Sequence, residues 1–316
     1  MPKLSIIIPV HNAEKHIEKC LNSLMRQTLK EKIEIIIVND GSTDNSEKVI
    51  KEYIEKNDIN NINYYSKKNE GVAKTRNFGI EKATSNYIFF VDSDDYISEQ
   101  TIKKIKPYID ENIDLIKFKL QRVNQNDEII EKVDGPVFDK TTGQEAFNKM
   151  YGEDKLLDSP CVYIIKKELF IKNGFKFQRT YHEDFGLIPL ILLSAKEVVS
   201  IPDYLYQYVQ SQNSITRNED YNKTLKKMDA ALAHYDNMLK EIEKIELSKR
   251  TKENVRIYYT NAIILKLKEL KEEDKRKYIN EIRKRKMQNN IKARNLKQLI
   301  KKIILKININ LYLKMR

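Results

Sequence analysis

The sequence contains no tryptophan and only two cysteines, Cys20 and Cys161, which lie far apart in the chain. Neither has a second cysteine or a suitably spaced histidine nearby, so their spacing indicates neither a disulfide framework nor a zinc site. A reducing cytoplasm is therefore the expected setting. The phosphate-binding patterns GxGxxG and GxxxxGK[ST] are also absent, which argues against a dehydrogenase or an ATPase.

Long apolar runs are missing as well. No stretch is apolar and long enough to span a bilayer, and the apolar segment Leu4–Val10 is too short and too early to be a signal peptide. At 316 residues, with 33% charged and 41% hydrophobic residues, the composition is typical of a soluble, helix-rich protein. We expect one large domain with an appendage.

The formal net charge of +12 is concentrated at one end of the chain. From Arg283 to Arg316 there are twelve Lys or Arg residues and no Asp or Glu, which accounts for the whole excess. This asymmetry predicts a nearly neutral folded domain followed by a basic tail, and the two parts need not share a partner.

The N-terminal third of the chain alternates predicted strands with predicted helices. The strands are Leu4–Val10, Ile33–Val38, Asn63–Ser66 and Tyr87–Val91, and the helices are Ala13–Gln27, Asn45–Glu55 and Val72–Ala83, with Asn12 as a candidate cap of the first. This alternation is typical of a parallel sheet with right-handed crossovers. Such a sheet places the loops Pro9–Asn12, Asn39–Asp44 and Asp92–Asp95 on one edge, where open α/β sheets bind ligands.

The stretch Tyr87–Tyr96 reads YIFFVDSDDY and joins a predicted buried strand to three carboxylates. Asp92, Asp94 and Asp95 follow the strand, and clustered anions repel one another unless a cation lies among them. The local chemistry therefore predicts a divalent metal site. The alternative is a turn that caps the next helix, and Asp95 is either such a cap or a further acceptor.

Four segments of the sequence, taken together, indicate a protein family more specifically than any one of them does alone. LSIIIPVHNAEKHIEKCLNSLMRQT, IEIIIVNDGSTDNS, KKNEGVAKTRNFGI and YIFFVDSDDY resemble, in this order, the nucleotide-sugar domain of family 2 glycosyltransferases with the A-type fold (GT-A), the inverting enzymes of bacterial surface polysaccharides. The resemblance implies a nucleotide-sugar donor, with a UDP-sugar expected, and Mn²⁺ or Mg²⁺ as cofactor. It places donor contacts in all four segments, on Pro9, Val10, Asn12, Glu14, Asp40, Gly71, Arg76, Asp92 and Ser93.

The role expected for each of these residues follows from the resemblance and from the chemistry of its side chain. Asp40 is suited to accept a hydrogen bond from the uracil N–H, and Gly71 lets the backbone approach a ligand. Arg76 suits either a phosphate or a buried ion pair with the aspartate cluster. The resemblance assigns the ribose or the sugar to Asp92, and the metal on the diphosphate to Asp94.

Two adjacent carboxylates, Glu183 and Asp184, precede a strongly apolar predicted helix. Local sequence alone allows them to cap that helix. The resemblance instead assigns Asp184 as the general base and Glu183 as the residue that orients the acceptor. One base and no second nucleophile predict a single displacement with inversion. The resemblance also offers Ser214, Thr216 and Arg217 as residues that close over the diphosphate or anchor their loop.

The domain prediction follows from these assignments. A catalytic domain over residues 1–220 comprises a nucleotide-sugar half (1–100) and an acceptor half (101–220), and a helical region follows over 221–316. In the acceptor half, Leu115–Val123 and Ile129–Val133 alternate as amphipathic strands. The C-terminal helices are expected to pack on the catalytic domain or on a second copy of the chain.

The basic tail carries apolar residues at helical spacing, namely Leu296, Leu299, Ile300, Ile303, Ile304, Ile307 and Leu311. Lys297, Lys301, Lys302 and Lys306 flank this stripe or lie opposite it. A basic amphipathic helix of this kind can lie in the interface of an anionic membrane. The alternative is a helix that packs on the preceding bundle or on another subunit, which Leu305 and Ile309, off the main stripe, favour.

The sequence thus predicts an α/β fold: a GT-A-type nucleotide-sugar-binding domain with a mostly parallel central sheet, followed by a helical C-terminal region. The predicted function is an inverting, metal-dependent hexosyl- or N-acetylhexosaminyltransferase that acts on a glycan or lipid-linked acceptor, in the cytoplasm at the inner face of the membrane. A sugar-nucleotide-forming nucleotidyltransferase is one alternative, although its Gly-rich N-terminal loop is missing. A nucleic-acid-binding protein is another, which predicts a steeply salt-dependent affinity and leaves the acidic sheet edge unexplained.

Overall fold

The computed structural model describes residues 3–28, 33–57, 60–210, 220–291 and 296–307, together with 309 and 311. The chain divides into two compact units. The first comprises Met1–Arg179 and Glu183–Ser214, and the second comprises Thr180–His182 and Ile215–Arg316.

Within the described residues, the first unit is built on a ten-stranded sheet. Its strands are β1 (Leu4–Val10), β2 (Ile33–Asp40), β3 (Ile62–Lys67), β4 (Tyr87–Phe90), β5 (Tyr96–Ile97), β6 (Leu115–Val123), β7 (Ile129–Val133), β8 (Phe138–Thr141), β9 (Tyr163–Lys166) and β10 (Val198–Val209). They run in the order β3-β2-β1-β4-β9-β6-β10-β5, with β7 beside β6 and β8 beside β10. The predicted α/β class with a central sheet and a helical C-terminal region is confirmed.

The strands that carry the predicted nucleotide-sugar half are parallel. β1 pairs with β2 and β4, and β2 pairs with β3. Every residue of β1, β2 and β4 is buried, which explains why these strands read as continuous apolar runs rather than alternating ones. The other half is mixed, because β9 runs antiparallel to β4 and β6 while β6 and β10 are parallel.

Seven α-helices are described in the first unit: α1 (Ile17–Met25), α2 (Ser46–Lys56), α3 (Val72–Lys82), α4 (Thr101–Asp110), α5 (Gly143–Gly152), α6 (Lys167–Asn173) and α7 (Glu183–Ser194). Helix α1 begins later than predicted, and its N-cap is His16. The predicted capping role of Asn12 is therefore wrong. Asn12 has a φ of 53°, and its side-chain oxygen accepts a hydrogen bond from Thr43 N at 2.8 Å instead.

A glycine brings α3 close to the sheet. A Cβ atom at Gly79 would lie 2.4 Å from Cγ2 of Ile7 in β1, a distance that packed side chains do not tolerate. The absence of a side chain at Gly79 therefore sets the distance between α3 and β1, and with it the position of the other α3 side chains at the edge of the sheet.

A lysine lies inside the mixed half of the sheet. Lys117 in β6 stands between Tyr163 of β9 and Ser200 of β10, and it is only 1% exposed. Burial, followed by the charge of Lys119, lowers the pKa of Lys117 to about 8. The alternation of β6 gave no reason to expect a buried charge at this position.

The described helices of the second unit are α8 (Tyr221–Glu241), α9 (Lys249–Lys266), α10 (Glu272–Lys284) and α11 (Leu296–Ile307). Arg285, which follows α10, donates from Nε and Nη2 to the two carboxylate oxygens of Asp236 in α8 at 2.9 and 2.8 Å. Tyr278 in α10 also donates to Asp229 Oδ1 in α8 at 2.9 Å. In the described part of the chain, the helices are too short or too polar to cross a membrane.

Candidate active site

The loops that follow β1 and β2 are tied to each other by side-chain hydrogen bonds. Asn12 N donates to Ser42 Oγ at 3.0 Å. Glu14 N donates to Asp44 Oδ2 at 3.1 Å, and Glu14 Oε2 accepts from Asn45 N at 2.9 Å. Asn12 and Glu14, two predicted donor contacts, therefore hold the sheet edge in shape. Pro9 and Val10, two further predicted donor contacts, are buried in β1, where they pair with Val38 and Asn39 of β2.

Asp40, at the end of β2, is buried, and both of its carboxylate oxygens accept hydrogen bonds. Its Oδ1 accepts from Glu70 N at 2.9 Å and from the ammonium of Lys67, and its Oδ2 accepts from Gly71 N at 2.8 Å. Burial opposes ionisation, but these hydrogen bonds outweigh it and lower the pKa of Asp40. Asp40 is thus a fixed anion, and a contact with uracil would use the remaining lone pair of Oδ2.

Gly71 orients that hydrogen bond through its backbone. Its φ of 93° lies in the region that favours glycine, and the residue precedes α3. Its N–H points at Asp40, while no atom lies within 4 Å of the place where a Cβ would stand. The positive φ explains the glycine without any ligand, and the predicted close approach of a ligand stays a prediction.

Arg76 in α3 joins the end of β4 to the start of α7. Its Nη1 donates to Glu183 Oε1 at 2.8 Å and to Asp184 Oδ1 at 2.9 Å. Its Nη2 donates to Asp92 Oδ1 at 3.1 Å. Arg76 is 4% exposed, and its guanidinium lies 5.4 Å from the ring centroid of Phe177. Of the two roles considered for Arg76, the structure shows the ion pair with the aspartate cluster.

Asp92 receives two further contacts that the sequence did not indicate. The thiol of Cys161 lies 3.4 Å from Asp92 Oδ2. The backbone N–H of Asp92 donates to the hydroxyl of Tyr206 at 3.2 Å. Burial and the adjacent Asp92 raise the pKa of the Cys161 thiol well above its usual range, so the cysteine acts as a neutral donor. Both partners come from distant segments, and local sequence carries no signal for them.

Of the two roles predicted for Asp95, the structure shows the further acceptor, and the residue is 2% exposed and points inward. Its Oδ2 accepts from Tyr206 OH at 2.7 Å, and its Oδ1 accepts from Val209 N at 2.8 Å. Burial, followed by the charges of Asp92 and Asp94, raises the pKa of Asp95 to about 8. Asp95 therefore fastens β10 to the loop after β4, and the predicted capping role is wrong.

Asp94 and Ser93 occupy the outer part of the same loop. Asp94 is exposed and Ser93 is half-buried. Partial desolvation and the neighbouring Asp92 raise the pKa of Asp94, so a cation would stabilise its ionised form. In the part of the chain that the structure describes, no group of three or more His, Cys, Asp or Glu forms a metal site by itself. Mg²⁺ in nucleotide sites is commonly held by one or two carboxylates and substrate phosphates, so Asp94 fits a metal completed by the donor.

Glu183 and Asp184 form the first turn of α7, whose following residues, from Phe185 to Leu193, are all buried. The side chain of Glu183 is 14% exposed and that of Asp184 is 27% exposed. Burial raises the pKa of Asp184 above its ordinary value; Arg76 acts in the opposite direction, and Glu183 adds to the increase. Asp184 is therefore a partly accessible carboxylate with increased basicity, which suits a general base.

The structure thus brings Asp92, Glu183 and Asp184 each into direct contact with Arg76, and Asp94 follows Asp92 by two residues. Asp40 and Gly71 contact each other at the neighbouring strand end. Ser214, Thr216 and Arg217 lie outside the described residues.

The sequence model of the family described as "Glycosyl transferase family 2" matches residues 5–174. Glycosyltransferase GlyG of Streptococcus pneumoniae is 31% identical over 225 residues, which cover 68% of this chain and 73% of that protein. The minor teichoic acid biosynthesis protein GgaB of Bacillus subtilis is 30% identical over 220 residues, which cover 65% of this chain and 22% of that protein.

Poly(ribitol-phosphate) beta-N-acetylglucosaminyltransferase TarS of Staphylococcus aureus is 27% identical over 297 residues. This match covers 89% of the chain and 48% of TarS, so the chain spans about half of that protein. The crystal structure of TarS 1-349 in complex with UDP has a TM-score of 0.72 at 22% identity, and the match covers 98% of this chain and 88% of that one. The complex of TarS 1-349 with UDP-GlcNAc has the same TM-score. This likeness confirms the predicted fold class.

Proposed function

The chain belongs to glycosyl transferase family 2, as the sequence predicts, and from this membership we propose that it transfers a sugar from a UDP-linked donor to a glycan or lipid-linked acceptor. The relatives support surface glycans as the product class, because GgaB is a teichoic acid biosynthesis protein and TarS acts on poly(ribitol-phosphate). The complexes of TarS with UDP and UDP-GlcNAc support UDP as the nucleotide.

A single observation carries the proposal: Arg76 gathers Asp92, from the end of β4, and Asp184, from the start of α7, around one guanidinium. The carboxyl edge of the parallel strands is where a nucleotide binds in such sheets. The candidate base therefore lies beside the place where the donor diphosphate and its sugar are expected. A nucleotide-binding fold without this second carboxylate group would explain donor binding but not transfer.

In the proposed reaction, Asp184 removes the proton from an acceptor hydroxyl while that oxygen attacks the anomeric carbon of the donor sugar. The new bond joins the acceptor oxygen to the anomeric carbon. The bond that breaks joins this carbon to the diphosphate oxygen, whose electron pair leaves with UDP. One displacement inverts the anomeric configuration. Glu183, held by the same Nη1 of Arg76, orients the acceptor hydroxyl beside Asp184.

Donor contacts are proposed along the edge that these carboxylates share. Asp40 would accept from the uracil N–H, with Pro9, Val10, Asn12 and Glu14 around the base. Asp92 and Ser93 would contact the ribose or the sugar, near Gly71. Asp94 would hold Mn²⁺ or Mg²⁺, which supplies positive charge against the leaving diphosphate when it is bound. The accessible carboxylate of Asp94, whose pKa is raised by partial desolvation and Asp92, supports this assignment.

A lipid-linked acceptor would be met at a membrane surface. Peripheral association with an anionic membrane, at the inner face of the cell membrane, therefore belongs to the same proposal.

Donor binding can be tested by thermal unfolding with UDP-GlcNAc, UDP-glucose and a GDP-sugar, each with and without Mn²⁺. A ligand at about 100 times its Kd stabilises the folded state by about 2.7 kcal/mol, so a true donor raises the Tm clearly. We expect a UDP-sugar to raise it with Mn²⁺ and the GDP-sugar to leave it unchanged. Equal shifts for both nucleotides, or no shift, contradict a UDP donor.

The reaction type needs a second measurement. With donor and acceptor present, a glycosyltransferase releases free UDP, whereas the nucleotidyltransferase alternative releases pyrophosphate. UDP release that requires the acceptor supports the proposal, and pyrophosphate release refutes it.

A further inference from the structure

Among the side chains that the structure describes, helix α11 has one buried apolar face and one exposed apolar face. Leu305 is fully buried, and Ile309, which continues in helical conformation, is 1% exposed. In contrast, Ile300, Ile303, Ile307 and Leu311 are exposed by 46%, 47%, 72% and 47%. An exposed row of large aliphatic side chains is unusual on a water-soluble surface and marks a contact site when it is contiguous.

Helical geometry separates the two faces. At about 100° per residue, the four exposed residues fall within an arc of about 80°, and Leu305 and Ile309 lie on roughly the opposite side. Arg283 Nη2 donates to the carbonyl oxygen of Ile307 at 3.3 Å, which ties the end of α11 to the end of α10. The helix is therefore anchored through Leu305 and Ile309 and presents the other apolar face, here called the outer stripe, to solvent.

An open groove of about 530 Å³ runs beside the outer stripe. Its lining comprises Glu272, Arg276, Ile279, Asn280 and Arg283 of α10 together with Ile307 and Ile309. The carboxylate of Glu272 pairs with Lys275 at 2.6 Å, so the two arginines are its unopposed charges. The guanidinium groups of Arg276 and Arg283 suit an anionic headgroup whose acyl chains lie against the exposed Ile307.

Charge decides which partner covers the outer stripe. The segment from Arg283 to Arg316 contains twelve basic residues and no acidic one. Two copies of the chain that met through this stripe would bring these like charges together, because a two-fold interface pairs each patch with itself. An anionic lipid surface instead attracts each lysine or arginine near it and accepts the isoleucines in its acyl boundary.

We propose that the outer stripe, formed by Ile300, Ile303, Ile307 and Leu311, docks the chain on an anionic phospholipid surface while Leu305 and Ile309 keep α11 anchored. This proposal names the surface that would make the membrane contact of the proposed function, and it rests on the proposed function only for that contact. Docking on lipid needs no donor, metal or acceptor.

The test is co-sedimentation of the whole chain with phosphatidylcholine vesicles and with vesicles that also contain phosphatidylglycerol. The double variant Ile303→Ser/Ile307→Ser polarises the outer stripe at two well-exposed positions, so the fold is expected to persist. Its matched control is Ile129→Ser/Ile130→Ser in β7, where both side chains are 54% exposed. We expect the stripe variant to lose about tenfold or more in partition onto the anionic vesicles, and the control to match the unsubstituted chain.

Added salt is expected to weaken binding of the unsubstituted chain, because the lipid charge contributes to it. The proposal is overturned if the unsubstituted chain fails to bind vesicles or binds both vesicle types equally. It is also overturned if the stripe variant binds anionic vesicles as well as the unsubstituted chain does. Sedimentation equilibrium without lipid adds one more outcome: a dimer that the stripe variant abolishes would assign the stripe to a second copy and overturn the proposal. Thermal shifts with UDP-sugars report on the donor site separately, so the two failures are distinguishable.

Discussion

Replacing Arg76 by methionine tests the central contact of the candidate site. The substitution keeps an unbranched side chain that can pack against Phe177 but removes three charge-assisted hydrogen bonds, to Asp92, Glu183 and Asp184. Three carboxylates then face one another without a cation. Removing one partner of a buried ion pair typically costs about 3 to 5 kcal/mol, because the remaining charges stay partly dehydrated.

The exposure of the partners places the cost at the lower end of this range. Asp92 is 33% exposed and Asp184 is 27% exposed at the side chain, so water can hydrate both, whereas Glu183 at 14% is less accessible. We expect a loss of about 3 kcal/mol in the free energy of unfolding of the first unit. At about 2 to 4 °C per kcal/mol, this corresponds to a fall in Tm of about 6 to 12 °C.

The same variant should change the pH dependence of turnover. Burial already raises the pKa of Asp184, and Arg76 is the group that opposes this increase. Without Arg76 the pKa rises further, so a base that must be ionised becomes active only at higher pH. We expect the acidic limb of the profile of kcat against pH to move upward by about one pH unit or more. Arg76→Lys keeps the positive charge but not the planar guanidinium. Its acidic limb should therefore lie between those of the wild type and Arg76→Met.

Arg122→Met is the matched control. Arg122 in β6 pairs with Glu131 at 2.7 Å, but both side chains are about half exposed, at 43% and 52%. Such surface pairs contribute about 0 to 1 kcal/mol, so this variant should retain its Tm and its pH profile. An Arg76→Met protein as stable as the control, with an unshifted acidic limb, would refute the assignment of Arg76 as the residue that holds the site carboxylates together.

Three further predictions concern single side chains. Asp184→Asn should lower turnover by about a hundredfold or more with donor binding nearly unchanged, and normal turnover would reassign Asp184 to the helix terminus. Asp94→Ala and treatment of the wild type with EDTA should each abolish transfer and weaken UDP binding, which full activity in excess EDTA would contradict. Lys117→Met should stabilise the protein at neutral pH by up to about 3 kcal/mol. Because the pKa of Lys117 is lowered to about 8, the unfolded chain binds more protons above that pH, so wild-type stability should rise between about pH 8 and 10.5 and the variant should lack this rise.

The strands of the nucleotide-sugar half were predictable because burial on both sides leaves a continuous apolar run. β1 has the predicted bounds, and β4 ends one residue before the predicted Val91. The start of α1 was not predictable in the same way. Asn12 is a common capping residue, but here it adopts a positive φ and accepts from a backbone N–H in the loop after β2. Local propensity does not reveal this competing partner.

The tail shows what periodicity can and cannot tell. The spacing of Ile300, Ile303 and Ile307 predicted one apolar face, and these residues do share a face. Periodicity could not say which apolar face meets the protein, since that depends on the shape of the surface that receives the helix. Leu305 and Ile309, the two off-stripe residues that favoured packing on the preceding bundle, are the buried ones.

The two readings of Asp184 illustrate the same limit at the candidate site. A carboxylate in the first turn of a helix gains from the helix dipole, so capping alone would lower its pKa. The ion pair with Arg76, which spans 108 residues of sequence, acts in the same direction. Burial nevertheless prevails and raises the pKa of Asp184, an effect that only the folded chain can show. The structural Asp95 also has a raised pKa, but it is 2% exposed and both of its carboxylate oxygens accept hydrogen bonds from the protein. The Asp184 side chain is 27% exposed, so an acceptor can reach it, and this accessibility supports the catalytic assignment of Asp184 over the structural one.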